Sequence, residues 1–288
     1  MAYSVLVTGA TGHQGGSVVR ALLDKGFGVT AMSRNPDGEK AKALKESGVE
    51  VVKGDFQDPD SLKQALSAVD AAFLVSTPFE AGIDAETSQG IAFIDAAAAA
   101  GVGFLLFSSV SDADRATGIP HFDSKYEVEK HLAKSGLDYA ILAPAFFYDN
   151  MMAPFVLPGL KQGTLAQGLD ADKELQSISV RDIGRFAALM LERRDEFKGR
   201  RVNVAGDSLT GQAYADALAS ATGRSIGYAE VPIDQIKKMS EDMGIMYDWF
   251  NREGYSADID GLRSRYPEVG WERFDEWAAR QDWSVLDD

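Results

Sequence analysis

The sequence contains no cysteine among its 288 residues. That absence excludes disulfides, thiolate zinc sites and a catalytic thiol. Histidine is nearly as scarce: His13, His121 and His131 are the only three. No two of them stand at metal-ligand spacing, so no metal site is expected. Long apolar runs are missing too, because none approaches the roughly 18 residues of a membrane-spanning helix. The longest, Ile91 to Val102, is alanine-rich and reads as a buried helix, so no membrane contact is expected. Positive charge is in short supply, with 29 Lys and Arg against 44 Asp and Glu, a formal charge of −15. Such a chain repels phosphate backbones, which argues against direct nucleic-acid binding. The opening Met1-Ala2-Tyr3-Ser4 lacks the basic region and apolar core of a secretory leader, and a cytoplasmic protein is the expectation.

What remains is an ordinary globular composition, 45% apolar and 25% charged, long enough for one extended domain or two adjoining ones. Short apolar runs at Ser4–Thr8, Val29–Ser33, Glu50–Lys53, Ala71–Ser76, Phe104–Ser108 and Tyr139–Ala143 have strand length. Between them lie helical patterns at Ser17–Lys25 and near 37–47, 59–68, 85–101 and 121–135. Continuous hydrophobicity within the strands signals burial on both faces. Right-handed crossovers then favour an α/β fold with a Rossmann-type, doubly wound parallel sheet. After Pro144 the rhythm breaks into an aromatic- and methionine-rich stretch. A helix at Ser179–Arg193 and a strand at Val202–Ala205 follow, with helical patterns at Gln212–Thr222, Ile233–Phe250 and Trp271–Gln281. This order predicts a dinucleotide-binding domain over 1–150, to which 179–205 returns, and a smaller interleaved C-terminal α/β lobe formed by 151–178 and 206–288.

The sharpest motif is Thr8-Gly9-Ala10-Thr11-Gly12-His13-Gln14-Gly15-Gly16, set between the first strand and the first helix. Gly9 permits the tight turn, Gly12 clears a side chain from the path of a pyrophosphate, and Gly15 lets the helix approach the strand. Thr11, His13 and Gln14 complete the loop whose helix-start N–H groups face the anion. At the end of the second strand an Asp or Glu would hold the ribose 2′-hydroxyl of NAD. The chain has Met32-Ser33-Arg34-Asn35 there instead. Arg34 can fork onto a 2′-phosphate with Ser33 donating a further hydrogen bond, so NADP(H) is expected over NAD(H). Further cofactor contacts are expected at later strand ends: Asp55 and Phe56, then Ser76, Thr77 and Pro78, then Ser108.

Ser108-Ser109-Val110 closes the fifth strand, and His121-Phe122-Asp123-Ser124-Lys125 opens the next helix, where His121 and Lys125 can share a face. Ser124-x-x-Glu127 also fits a capping box, which would start the helix one turn later and leave His121 outside it. The glycine loop, Ser108-Ser109 and Lys125 together resemble an atypical short-chain dehydrogenase/reductase. His121 through Glu129, Ala143 through Asn150, Val180-Arg181-Asp182-Ile183-Gly184 and the closing Trp271–Trp277 segment are similar to the NmrA-like family. The resemblance implies that Lys125 holds the nicotinamide ribose. It also implies that His121 occupies the position of the superfamily's proton-donating tyrosine, a departure from the pattern. Pro144, Phe146 and Phe147 follow the sixth strand as nicotinamide contacts and walls of a flat apolar pocket.

Two functions follow from the resemblance. One is an NADPH-dependent reductase of a small quinone-like, enone or aromatic carbonyl acceptor, with Lys125 and His121 as catalytic residues. The other is a redox sensor that binds NADP(H) without turnover and regulates a protein partner. A homodimer is compatible with either.

Overall fold

In the computed structural model, which describes residues 3–77 and 82–287, the first half of the chain alternates strand and helix. Strands β1 (Ser4–Val7), β2 (Gly28–Ser33), β3 (Glu50–Lys53), β4 (Ala71–Val75), β5 (Phe104–Ser108) and β6 (Tyr139–Pro144) are separated by α1 (His13–Asp24), α2 (Glu39–Glu46), α3 (Pro59–Leu66), α4 (Ile83–Ala100) and α5 (Pro120–Leu132). Then come β7 (Phe146–Phe147), α6 (Leu157–Lys161), β8 (Thr164–Gln167), β9 (Glu174–Ile178), α7 (Val180–Glu192), α8 (Arg194–Phe197) and β10 (Arg201–Val204). The chain closes with β11 (Asp207–Thr210), α9 (Gly211–Thr222), β12 (Gly227–Glu230), α10 (Ile233–Met239), α11 (Glu241–Arg252), α12 (Ile259–Arg265) and α13 (Phe274–Arg280).

Among the described residues, the large sheet has the order β3-β2-β1-β4-β5-β6-β10. The order reverses between β1 and β4, which opens the crevice where doubly wound sheets bind ligands. Parallel register brings Ser33 opposite Lys53 and Val75 opposite Ser108, so the strands end along one edge. Val5, Leu6 and Val7 are fully buried, as is most of β5, in keeping with strands covered on both faces. Helix α4 turns Phe93, Ile94 and Ala97 inward onto the same core.

The chain divides into two compact units. The first comprises residues 1–116, 120–143 and 183–202; the second comprises 117–119, 144–182 and 203–288. Within the first, a Cβ on Gly184 of α7 would lie 2.5 Å from the carbonyl oxygen of Ser17, so the two helices approach at backbone contact. The second unit holds a three-stranded sheet, β11-β9-β7, and the pair β12-β8. Its buried aromatic cluster joins Tyr148, Tyr214, Phe274 and Trp277, with the Tyr214 and Phe274 rings 4.6 Å apart.

Several boundaries differ from the sequence reading. Helix α1 starts at His13, not Ser17, because Gly12 already serves as its N-cap. The single helix expected over Ile233–Phe250 is two, interrupted at Ser240, whose extended backbone (φ −156°) lets its hydroxyl accept from the Met243 N–H. The last helix begins at Phe274 instead of Trp271, with the Arg273 N–H donating to Glu276 at its start. No helix among the described residues is long and apolar enough to cross a membrane.

Candidate functional site

The glycine loop sits in the crevice beside β4. The Thr8 hydroxyl donates to the Val75 carbonyl at 3.1 Å and accepts the Val75 N–H at 2.8 Å, tying the end of β1 to that of β4. Gly9 then turns with φ +60°, a conformation costly for other residues. The Gly12 N–H closes that turn onto the Gly9 carbonyl at 2.9 Å. A Cβ on Gly15 would stand 2.3 Å from the Gly9 oxygen and 2.8 Å from the Thr8 oxygen, so only glycine allows this approach. No side chain caps Gly12, the residue that opens α1. The first N–H groups of a 12-residue helix therefore meet the crevice with the positive end of its dipole. This cradle of backbone donors fits a pyrophosphate. Thr11 is half-buried and His13 exposed on its rim, while the Gln14 amide crosses to the Ser108 hydroxyl at the end of β5.

Ser33 is half-buried at the end of β2, and its oxygen accepts the Asn35 N–H at 3.1 Å, leaving the hydroxyl hydrogen to donate elsewhere. Arg34 beside it is exposed. Asp55 and Phe56 follow β3 in a tight turn: Asp55 accepts the Gln57 N–H, and Phe56 packs edge-on against Phe93 at 5.8 Å. Ser76 is buried and Thr77 exposed after β4, whereas Pro78 lies outside the described residues.

Helix α5 starts at Pro120, so His121 is in its first turn and Ser124 is not the N-cap. The Ser124 hydroxyl is instead committed to Glu86, donating to Oε2 at 2.6 Å. Glu86 belongs to the first turn of α4, its side chain is fully buried, and it forms an ion pair of 2.7 Å with the Lys125 Nζ. The Ser76 hydroxyl donates to the same Oε1 at 3.2 Å, and the Lys125 ammonium donates to the Ser76 carbonyl at 3.0 Å. Two candidate residues from the sequence, Ser76 and Lys125, thus meet with Ser124 on Glu86, which sequence reasoning passed over. His121 is half-buried, its ring edge-on to Phe122 at 4.8 Å.

A second buried charge cluster stands behind the end of β5. Glu129 accepts from the Ser109 hydroxyl and from Arg201 Nε at 3.0 Å, and Arg201 also donates to the Val110 carbonyl at 2.6 Å. Burial pushes the Glu129 carboxyl above its usual range, and the Arg201 guanidinium pulls in the opposite direction. The loop it braces carries two non-glycine residues in the left-handed region, Asp112 (φ 59°) and Ala116 (φ 53°). Backbone of that kind persists where its surroundings fix it.

Pro144, Phe146 and Phe147 belong to the second unit. Pro144 is buried, and the half-buried phenylalanines form β7, with Phe146 opposite Ser177 and Phe147 opposite Ile178 of β9. Trp249 and Phe250 are buried against Tyr255 in the core of the same unit.

The profile of the NmrA-like family matches residues 1–278. An NmrA-like family domain-containing protein of Dictyostelium discoideum is 29% identical over 282 residues, covering 92% of each chain. An NAD(P)H azoreductase of Xenophilus azovorans is 28% identical over 241 residues, 84% of this chain and 82% of the enzyme. Among solved structures, an NADPH-dependent quinone oxidoreductase of Escherichia coli in complex with NADPH is similar with a TM-score of 0.81. It is 26% identical and is covered over 100% of its length by 99% of this chain.

Proposed function

Because the chain belongs to the NmrA-like family and carries its NAD(P)-binding Rossmann-type fold, we propose that it is an NADPH-dependent reductase of a small quinone-like, enone or aromatic carbonyl acceptor. The observation that carries this reading is the Lys125 ammonium, held in the strand-end crevice of a fold whose glycine cradle suits a pyrophosphate. The quinone and azo acceptors in the names of two relatives support the acceptor class.

Bound NADPH supplies a hydride. The N–H groups at the start of α1 hold its pyrophosphate, Arg34 and Ser33 take the 2′-phosphate, and Lys125 donates to the nicotinamide ribose. Ser108, held by Gln14, borders the same face of the sheet. His121, whose imidazole can carry a proton on either ring nitrogen, or a water molecule delivers the proton. The acceptor's carbonyl or quinone oxygen receives it.

His121 in the place of a tyrosine favours a second reading, a sensor that binds NADP(H) and acts on a protein partner without turnover. NADPH oxidation followed across a panel of quinones, enones, aromatic ketones and azo dyes separates the two. Turnover that falls about ten- to a hundredfold in Lys125→Ala, the worth of a charge-assisted hydrogen bond, supports the reductase. Tight NADPH binding with no turnover on any acceptor overturns it in favour of the sensor. Full activity in His121→Phe would assign the proton to water.

A further inference from the structure

Glu86 is a fully buried carboxylate on which three donors converge. Its place in the first turn of α4 sets the negative charge at the favourable end of an 18-residue helix. Oε1 receives Lys125 at 2.7 Å and Ser76 at 3.2 Å, and Oε2 receives Ser124 at 2.6 Å. The arrangement leaves the carboxylate little freedom to rotate. Lys125, only 12% exposed, spends one N–H on Glu86 and a second on the Ser76 carbonyl. Among the described residues its third N–H is uncommitted, and an ammonium has three donors.

We propose that Glu86 is the positioning residue of the cofactor site: it fixes the Lys125 side chain so that the single remaining donor meets the nicotinamide ribose. The inference rests on the reading of Lys125 as a ribose ligand. Without Glu86 the ammonium would be a buried charge lacking its counter-ion, and it would leave its place. The dinucleotide then loses a preorganised donor, although Glu86 itself never touches it.

A double-mutant cycle on NADPH affinity, read by fluorescence titration without any acceptor, tests this. Lys125→Met should weaken NADPH binding about ten- to a hundredfold, as loss of a charge-assisted hydrogen bond does. Glu86→Gln should weaken it by a similar factor, and the double variant Glu86→Gln/Lys125→Met should bind no worse than Lys125→Met alone. An additive double variant would mean that Glu86 acts independently of Lys125 and would overturn the proposal. Unchanged affinity in Glu86→Gln with a weakened Lys125→Met overturns it as well. Unchanged affinity in Lys125→Met refutes the ribose reading itself, a distinguishable failure. Should Glu86→Gln not fold, Ser124→Ala loosens the carboxylate without stranding a charge. It is expected to weaken NADPH about threefold in the native background and not at all in Lys125→Met. An equal loss in both backgrounds refutes the proposal.

Discussion

Arg34 stands where an acid would repel a 2′-phosphate, exposed at the end of β2. Replacing it by glutamate removes a guanidinium and supplies a carboxylate of the kind that holds the 2′-hydroxyl of NAD. Arg34→Glu is therefore expected to lower the ratio of NADPH to NADH affinity by about a hundredfold, on the scale of about 1.5–3 kcal/mol per charged contact. Titration of both dinucleotides measures it, and an unchanged ratio would remove Arg34 from the site. The glycine turn was legible in the sequence because its demand is local. Gly9 needs its positive φ and Gly15 its missing Cβ within one turn of chain. Glu86 was not legible: an acid in the first turn of a helix is ordinary, and its meaning comes from Ser76, Ser124 and Lys125, up to 39 positions away. The Ser124-x-x-Glu127 spacing even pointed elsewhere, toward a helix start that the hydroxyl does not serve.

Elements are held by how closely their backbones approach. Gly184 of α7 rests on Ser17 of α1 with a virtual Cβ only 2.5 Å from a carbonyl oxygen, which cannot retreat as a flexible side chain would. Gly184→Ala should cost about 1–3 kcal/mol, the range for overpacking, read as a lower midpoint in thermal or urea denaturation. Gly28→Ala serves as the control, since its nearest neighbour is 3.7 Å away and the added methyl makes ordinary contact. Equal losses at both positions would show that crowding is not what glycine relieves at 184. The parallel strands were readable because burial on both faces leaves a continuous apolar run. Strands β8 and β12 were not: Thr164–Gln167 and Gly227–Glu230 are short, mixed in polarity and stabilised by each other across some sixty positions. The break at Ser240 carried a usable signal, a serine followed by Glu241 and Asp242, which the continuing helical spacing of Ile233–Phe250 masked.

For the molecule as a whole, alkaline pH is the vulnerable direction. Burial pushes the phenols of Tyr148 and Tyr214 above their ordinary value, and that of Tyr247 up to about 12. A phenol with a raised folded pKa contributes stability that is complete below the unfolded value of about 10 and is lost as pH climbs toward the folded one. The chain already carries a formal charge of −15, and deprotonating lysines add self-repulsion in the same interval. Far-UV circular dichroism and phenolate absorbance should therefore change together above about pH 10. Tyr214→Phe, which removes one such group, should make the loss of stability with pH less steep. A gradual phenolate titration that precedes any loss of structure would contradict this. The α/β fold was foreseeable in outline from the sequence, because length and the strand–helix rhythm govern it, whereas the two compact units are read from the structure. Where the chain passes from one to the other depends on long-range packing that no local pattern carries.

That interleaving has a consequence for how the protein is born. β10, at the margin of the large sheet, neighbours β6, yet the ribosome must first deliver the stretch 145–200, nearly all of it destined for other elements. At ~5–20 residues per second this takes roughly 3–12 s. Throughout that interval the nascent sheet offers an unfinished margin with its peptide groups unanswered, which is the kind of template on which neighbouring chains pair wrongly. Translation speed across residues 145–200, and the holding chaperones present while they emerge, therefore bear on yield alongside the stability of the finished protein.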